Sequence, residues 1–247
     1  MEERVGVGEI RFGKPRQGIK MAEPVNIFIG FDTKEVVAYH VLCHSIIKHS
    51  SVPVRFTPVY LQHIANIFSR KRSELQSTEF SFSRFLVPYL SEYRGWSLFV
   101  DCDVLAVADI AELFELRNDS YSVMVCKHDY IPKDSIKFLG NVQTRYEKKN
   151  WSSVVLFNNS RCKTLTTDYV NRATGLELHQ FKWLKSEDEI GALPLEWNWL
   201  VGEYPFNTHA KMVHFTRGGP YFNDYKTSDY ADEWFAGLKE ATTVRQN

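Results

Sequence analysis

The sequence predicts an α/β protein with a mixed central sheet flanked by helices. Three observations carry that prediction. Apolar runs of strand length recur at Val25–Gly30, Val54–Val59, Trp96–Val100, 121–126, 151–157 and 211–215. Helical periodicity fills the intervals between them as far as the middle of the chain. The third run ends in two aspartates, Asp101-Cys102-Asp103, followed by a further apolar pair, Val104-Leu105.

Residues 1–24 read as a flexible tail, with Gly6, Gly8, Gly13 and Gly18 among mixed charges and little apolar periodicity. Residues 25–247 read as one domain. Its first strand ends at Gly30, and a helix is expected after Asp32 and Glu35, which have capping-box spacing. Val36, Tyr39, His40, Cys43, Ile46 and Ile47 then recur at helical spacing. With the strand over 54–59 this makes strand, loop, helix, strand, and hence a parallel pair. A helix start at a strand's carboxyl end suits an anion, but there is no GxGxxG or Walker pattern.

Phe82, Phe85, Leu86, Tyr89, Leu90 and Tyr93 predict one further helix, kinked or shortened by Pro88, with Arg84 off its apolar stripe. The strand ending at Asp101 follows. Residues 110–116 read as a short helix capped by Asp109. Strands are expected over 121–126, over 151–157 (ending at Asn158 and Asn159) and over 211–215, the last preceding Arg217-Gly218-Gly219-Pro220. There are no internal repeats.

Composition narrows the function classes. Of the 247 residues, 44% are hydrophobic and 14% aromatic, enough for a sizeable core. Lys+Arg 30 against Asp+Glu 30 argues against a nucleic-acid surface. No apolar stretch approaches the roughly 20 residues of a transmembrane helix. The four cysteines lack CxxC spacing and the amino-terminal segment lacks a secretory signal, so a cytoplasmic protein with reduced thiols is expected.

The aspartates carry the chemistry. On an extended backbone, residues two apart point to the same side. Two carboxylates that converge this way favour a cation between them. A histidine from another strand end would complete a set for Mn2+ or Mg2+. His214 is the candidate, because Gly218 and Gly219 allow close backbone approach and Arg217 can contact phosphate oxygens.

Together these residues carry a resemblance. Gly30-Phe31-Asp32 before a helix, Ser83-Arg84-Phe85, the block from Leu98 through Asp101-Cys102-Asp103 to Leu105, and Val213-His214-Phe215 with its glycines and Pro220 resemble a GT-A glycosyltransferase. The nearest pattern is the glycogenin-like retaining family, which includes bacterial lipopolysaccharide galactosyltransferases. The resemblance spans about 25 to 220. It implies a GT-A fold with a Rossmann-like nucleotide-binding half, and a nucleotide-sugar donor, usually a UDP-sugar. It implies Mn2+, or Mg2+, on Asp101, Asp103 and His214. By motif position Gly30, Phe31, Asp32 and Lys34 fall in the nucleotide-binding loop. Arg84 takes the place of a basic donor contact, Ser152 and Ser153 lie near the sugar, and Arg217, Gly218 and Gly219 lie at the donor. Glu187 and Asp188 match a polar stretch near the reacting carbon. The acceptor, whether carbohydrate, lipid or protein, is left open. Two positions depart from the pattern. Ser152 stands where an Asn is usual, and Arg217-Gly218-Gly219 replaces a Gly-and-Lys motif at different spacing.

Other readings of the same residues stand beside these. The two aspartates are compatible with a turn or cap, His214 with a core histidine, Arg84 with a surface ion pair and Asp32 with an N-cap. Residues 187–189 are compatible with a solvated acidic run, and Trp197 and Trp199 with core packing or an acceptor groove. Cys102 reads as a small buried residue. At the level of function, Asp101 and Asp103 also fit a haloacid-dehalogenase-like, Mg2+-dependent phosphatase. That fold normally opens with the motif, whereas here other elements precede it. A non-catalytic nucleotide-sugar-binding module is the third reading.

Overall fold

The computed structural model describes residues 23–72, 76–129 and 147–244. The tail expected over 1–24 lies outside the described residues except for Glu23 and Pro24. The first half alternates strand and helix: β1 (Val25–Gly30), α1 (Val36–His49), β2 (Val54–Val59), α2 (Val87–Leu90), β3 (Trp96–Val100), β4 (Val104–Ala106), α3 (Ile110–Glu115) and β5 (Val123–Cys126). The second half contains β6 (Val154–Asn158), α4 (Thr167–Arg172), α5 (Gly175–His179), β7 (Ile190–Leu193), β8 (Trp199–Leu200), β9 (Met212–His214) and α6 (Ala231–Thr242).

Six strands form the main sheet in the order β2-β1-β3-β6-β5-β7. The parallel pair expected from the opening is present, Val25 pairing with Val54 and Gly30 with Val59. β3 joins β1 in parallel, β6 runs antiparallel to both β3 and β5, and β7 is parallel to β5. The mixed sheet is therefore as the sequence predicts. Its central strands are buried on both faces: Leu98, Phe99, Val100, Val154, Val155 and Leu156 have no exposed surface. That is why they read as continuous apolar runs rather than alternating ones.

Two local expectations need correction. Asp32 and Glu35 make no capping box. Glu35 holds the capping position of α1 without a side-chain cap bond, and Asp32 is used elsewhere. Nor is there one kinked helix from 82 to 93. A 3-10 turn over Ser83–Leu86 leads into α2, with Pro88 in the helix's first turn, where the missing N–H breaks no helical bond.

Val104-Leu105 also behaves differently from a continuation of β3. The chain turns after Val100, and β4 enters a second, three-stranded sheet of order β4-β9-β8. Side chains alternate across it. Val104, Ala106 and Met212 join the main core, whereas Leu105 and Val213 pack in a second cluster with Val41, Phe215 and Trp234. This small sheet brings the end of β9 to the end of β3.

Candidate metal and donor site

Asp101 and Asp103 leave the carboxyl end of β3, one on each side of Cys102, which is buried as expected. Asp101 is anchored by its own N–H, which donates to the Ser153 carbonyl at 2.9 Å. β4 and β9 pair antiparallel with Val104 opposite His214, and the Phe215 N–H donates to the Asp103 carbonyl at 2.9 Å. This register sets the imidazole beside the carboxylates. One ligand atom from each of Asp101, Asp103 and His214 lies within 4.8 Å of the other two. All three side chains are buried, at 8%, 9% and 2% exposure. The expectation that they converge is met, and His214 is no isolated core histidine.

Arg84 sits under this set. It is buried, not a surface ion pair, and its Nη1 lies 2.7 Å from Asp101 Oδ1. The same Nη1 donates to the Ser152 carbonyl at 2.8 Å, and the guanidinium stands 5.0 Å from the Phe99 ring centroid and 5.2 Å from that of Phe80. Burial pushes the Asp101 carboxyl above its ordinary range. Arg84 opposes that shift, Asp103 adds to it and His214 opposes it. Asp101 Oδ1 receives no well-directed hydrogen bond beyond the Arg84 ion pair. Two carboxylate oxygens and one imidazole nitrogen form a donor set suited to Mn2+ or Mg2+, and a divalent cation would offset the Asp103 repulsion that adds to the burial-driven rise of Asp101. The residues present therefore fit such an ion.

Glu35 and Tyr221 were not foreseen. Glu35 is buried at the start of α1, and the Tyr221 hydroxyl donates to its Oε1 at 2.5 Å. Its carboxyl is pushed up to about 8, first by burial, then by Asp103, against the Tyr221 hydrogen bond, with Asp32 and Asp101 adding smaller upward pushes. Three aspartates thus lie within electrostatic reach of it. Gly219 makes room for Tyr221, because a Cβ there would meet the ring at 2.1 Å. Gly218 has φ +144°, a conformation that favours glycine.

Gly30 packs directly against Phe80, where a Cβ would meet the ring at 2.4 Å. Phe31 is half-buried between the rings of Tyr39 and Tyr60. Asp32 is buried, and its carboxylate accepts from the Lys34 and Glu79 N–H groups, each at 2.9 Å. It pins the loop and caps no helix. Lys34 is exposed. Ser152 and Ser153 are buried on a 3-10 turn next to Arg84 and Asp101, but the Ser152 hydroxyl is engaged 2.8 Å from His179 Nδ1. Arg217 lies against Gly202, its Nη1 3.5 Å from that carbonyl.

Glu187 and Asp188 are not brought to this set. Both are exposed on the 3-10 turn entering β7, where Glu187 pairs with Lys148 and Asp188 is held by Ser186. Through the ladders, Ile190 is level with Val123, Phe157 and Ser97, three residues short of Val100. At about 3.3 Å per residue, Ile190 itself is roughly 10 Å from the level where β3 ends. Trp197 is core and Trp199 packs on Tyr204. Among the described residues the four cysteines are free thiols, and no helix is long and apolar enough to cross a membrane.

This architecture is the GT-A glycosyltransferase fold. WbbM, a bifunctional glycosyltransferase, superposes with a TM-score of 0.61 at 16% identity, over 87% of this chain and 49% of WbbM. GlyE of Streptococcus pneumoniae TIGR4 gives 0.56 at 14%, over 87% and 60%, and LgtC gives 0.54 at 12%, over 90% and 98%. The chain thus spans about half of WbbM and most of LgtC. No protein-family profile matches it. In sequence it is 46% identical over 242 residues to Protein CDI of Arabidopsis thaliana, covering 94% of this chain and 93% of that protein. The chain belongs to the Protein CDI family.

Proposed function

We propose that this protein is a metal-dependent glycosyltransferase that draws its sugar from a nucleotide-sugar, with Asp101, Asp103 and His214 as the cation's ligands. The observation that carries the reading is the convergence of those three buried donors within 4.8 Å, at the carboxyl end of β3 in a GT-A fold. LgtC, which shares the fold, is a galactosyltransferase captured with donor and acceptor sugar analogues. The same reading takes UDP as the nucleotide and retention as the stereochemical outcome.

The chain's own residues supply the setting. Asp101 and Asp103 present carboxylate oxygens from a backbone fixed by the Asp101 N–H and the Asp103 carbonyl. Arg84 offsets one of the two negative charges, from a position fixed by the Ser152 carbonyl and two aromatic rings. Its charge is preorganised and strengthened by low local dielectric, the arrangement that stabilises a departing anionic group. Mn2+ or Mg2+ bound at the three ligands supplies Lewis acidity toward a diphosphate leaving group. Arg217, Gly218 and Gly219, just beyond His214, belong to the donor side of the site.

The test is nucleotide release from a panel of UDP- and GDP-sugars, with and without Mn2+, for wild type and Asp103→Ala. Metal-dependent release lost in the variant supports the proposal, and product analysis then gives the anomeric outcome. Absence of metal-dependent binding or release with every donor overturns it. Nothing favours the phosphatase reading: Asp101 ends the third strand and is ion-paired to Arg84.

A further inference from the structure

We infer that Asn198 is a positioning residue for the cation site, fixing the His214 tautomer that leaves Nε2 as a lone-pair donor toward the two aspartates. The inference rests on the metal role proposed for His214.

Asn198 has no exposed surface and sits on the 3-10 turn over Leu195–Asn198, before β8. Its Nδ2 lies 3.1 Å from the Asn150 backbone carbonyl and 3.0 Å from His128 Nε2. Its Oδ1 lies 2.9 Å from His214 Nδ1. A backbone carbonyl can only accept, so the Asn198 atom facing Asn150 must be the amide nitrogen. Turning the amide over would set oxygen against oxygen. Oδ1 therefore faces His214, and because it too only accepts, the single ring proton of neutral His214 must be on Nδ1. Nε2, 3.4 Å from Asp103 Oδ1, then carries the lone pair that a metal ligand needs. Neutral imidazole in water favours the opposite tautomer, which would present a proton to the cation.

The same logic runs one step further. Asn198 Nδ2 donates to His128 Nε2, so the His128 proton is on Nδ1, 2.9 Å from the Tyr204 hydroxyl. His128 is itself buried, and its carbonyl accepts from Trp151 Nε1 at 2.8 Å. Tyr204, His128 and Asn150 thus hold the amide from the side away from His214.

The test combines nitrogen NMR of the histidine rings in the metal-free protein, Mn2+ titration followed by EPR, and thermal melting. The variants are Asn198→Leu, which matches the shape but offers no acceptor, and Asn198→Asp, which keeps an acceptor toward His214 but sets a carboxylate against the Asn150 carbonyl. Wild-type His214 and His128 are expected as Nδ1–H tautomers. Asn198→Leu is expected to lose that His214 signature and about 10–100-fold in Mn2+ affinity, while Asn198→Asp keeps both despite a lower melting temperature. A purely structural role predicts the reverse ranking, with affinity following stability. Nε2–H on wild-type His214 overturns the inference without use of any variant. Undiminished Mn2+ binding by Asn198→Leu overturns it while leaving the metal site standing. A wild type with the expected tautomers that binds no Mn2+ overturns the metal reading, and this inference with it.

Discussion

Replacing Arg84 by Met removes the guanidinium paired with Asp101 and keeps most of the side chain's length. In wild type both groups are nearly inaccessible, at 5% and 8% exposure, and 2.7 Å apart. Removing one partner of such a pair leaves an uncompensated buried charge, at a cost of about 3–5 kcal/mol. The Ser152 carbonyl also loses its Arg84 donor, worth about 1 kcal/mol. Asp103 makes matters worse, because it already pushes the Asp101 carboxyl upward. At about 2–4 °C per kcal/mol for a chain of this size, the variant should melt roughly 10–20 °C below wild type. The assay is urea and thermal unfolding in EDTA for wild type, Arg84→Met, Asp101→Asn and the double variant. Asp101→Asn in the Arg84→Met background should recover much of the loss, since the isolated charge is gone, giving a coupling energy of about 1–3 kcal/mol. An Arg84→Met variant within about 1 kcal/mol of wild type, or losses that simply add, would refute the reasoning.

Further outcomes follow from the same geometry. The folded state holds the Glu35 proton more tightly than the unfolded chain does. That contribution to metal-free stability is complete below its ordinary value of 4.5 and is lost as pH rises through about 8. Denaturant melts across that window should show the decline in wild type and a flatter profile in Glu35→Gln. His128 and His179 move the other way. Burial pushes both down to about 3, with His214 adding to it for the first and Arg84 and Arg70 for the second. Their stability is present above 6.5 and lost as pH falls toward 3, so His179→Phe should soften the acid limb of the same melts. Gly30→Ala forces a Cβ to within 2.4 Å of the fully buried Phe80 ring and should cost about 1–3 kcal/mol by overpacking, read from the urea midpoint. Asp188→Ala should change stability by less than about 0.5 kcal/mol and leave Mn2+ binding intact. A large loss of metal affinity would contradict the placement of the turn over Glu187–Glu189.

The parts of the site legible in the sequence are those set by local geometry. Asp101 and Asp103 are two residues apart at a strand end, and the pleat alone brings them together. The order of β1, α1 and β2 is equally plain, but the stripe expected on α1 is displaced: Val36, His40 and Ile47 are exposed, and Ala38, Val41, Leu42, Ser45 and Ile46 form its buried face. Arg84 was visible as a position but not as a buried charge, since the aromatic period 82–93 fits a 3-10 turn running into a short helix as well as one longer helix. Contacts across long stretches of chain were invisible: Glu35 meets Tyr221 across 186 positions, and His128 meets Asn198 across 70. Trp197 and Trp199 stand out in the sequence, although the residue that reaches His214 is the amide between them. Sequence order within a resemblance places Glu187 and Asp188 near the reacting carbon, whereas the fold carries them on an exposed 3-10 turn held by Lys148 and Ser186.

Register is also what makes His214 a ligand at all. β4 and β9 share only three paired positions, a ladder too short to fix itself by strand pairing alone. Two flanking bonds close it: the Phe215 N–H to the Asp103 carbonyl and the Val107 N–H to the Lys211 carbonyl, each 2.9 Å. Packing closes it a second time. Leu105 and Val213 point into the cluster around Trp234, while Val104 and Met212 point into the main core. A slip of one residue would exchange those faces and carry the imidazole to the side away from Asp101 and Asp103. The apolar alternation of two three-residue strands and the placement of a polar ligand are therefore one constraint. The core on either side of the small sheet holds the histidine in place before any cation arrives.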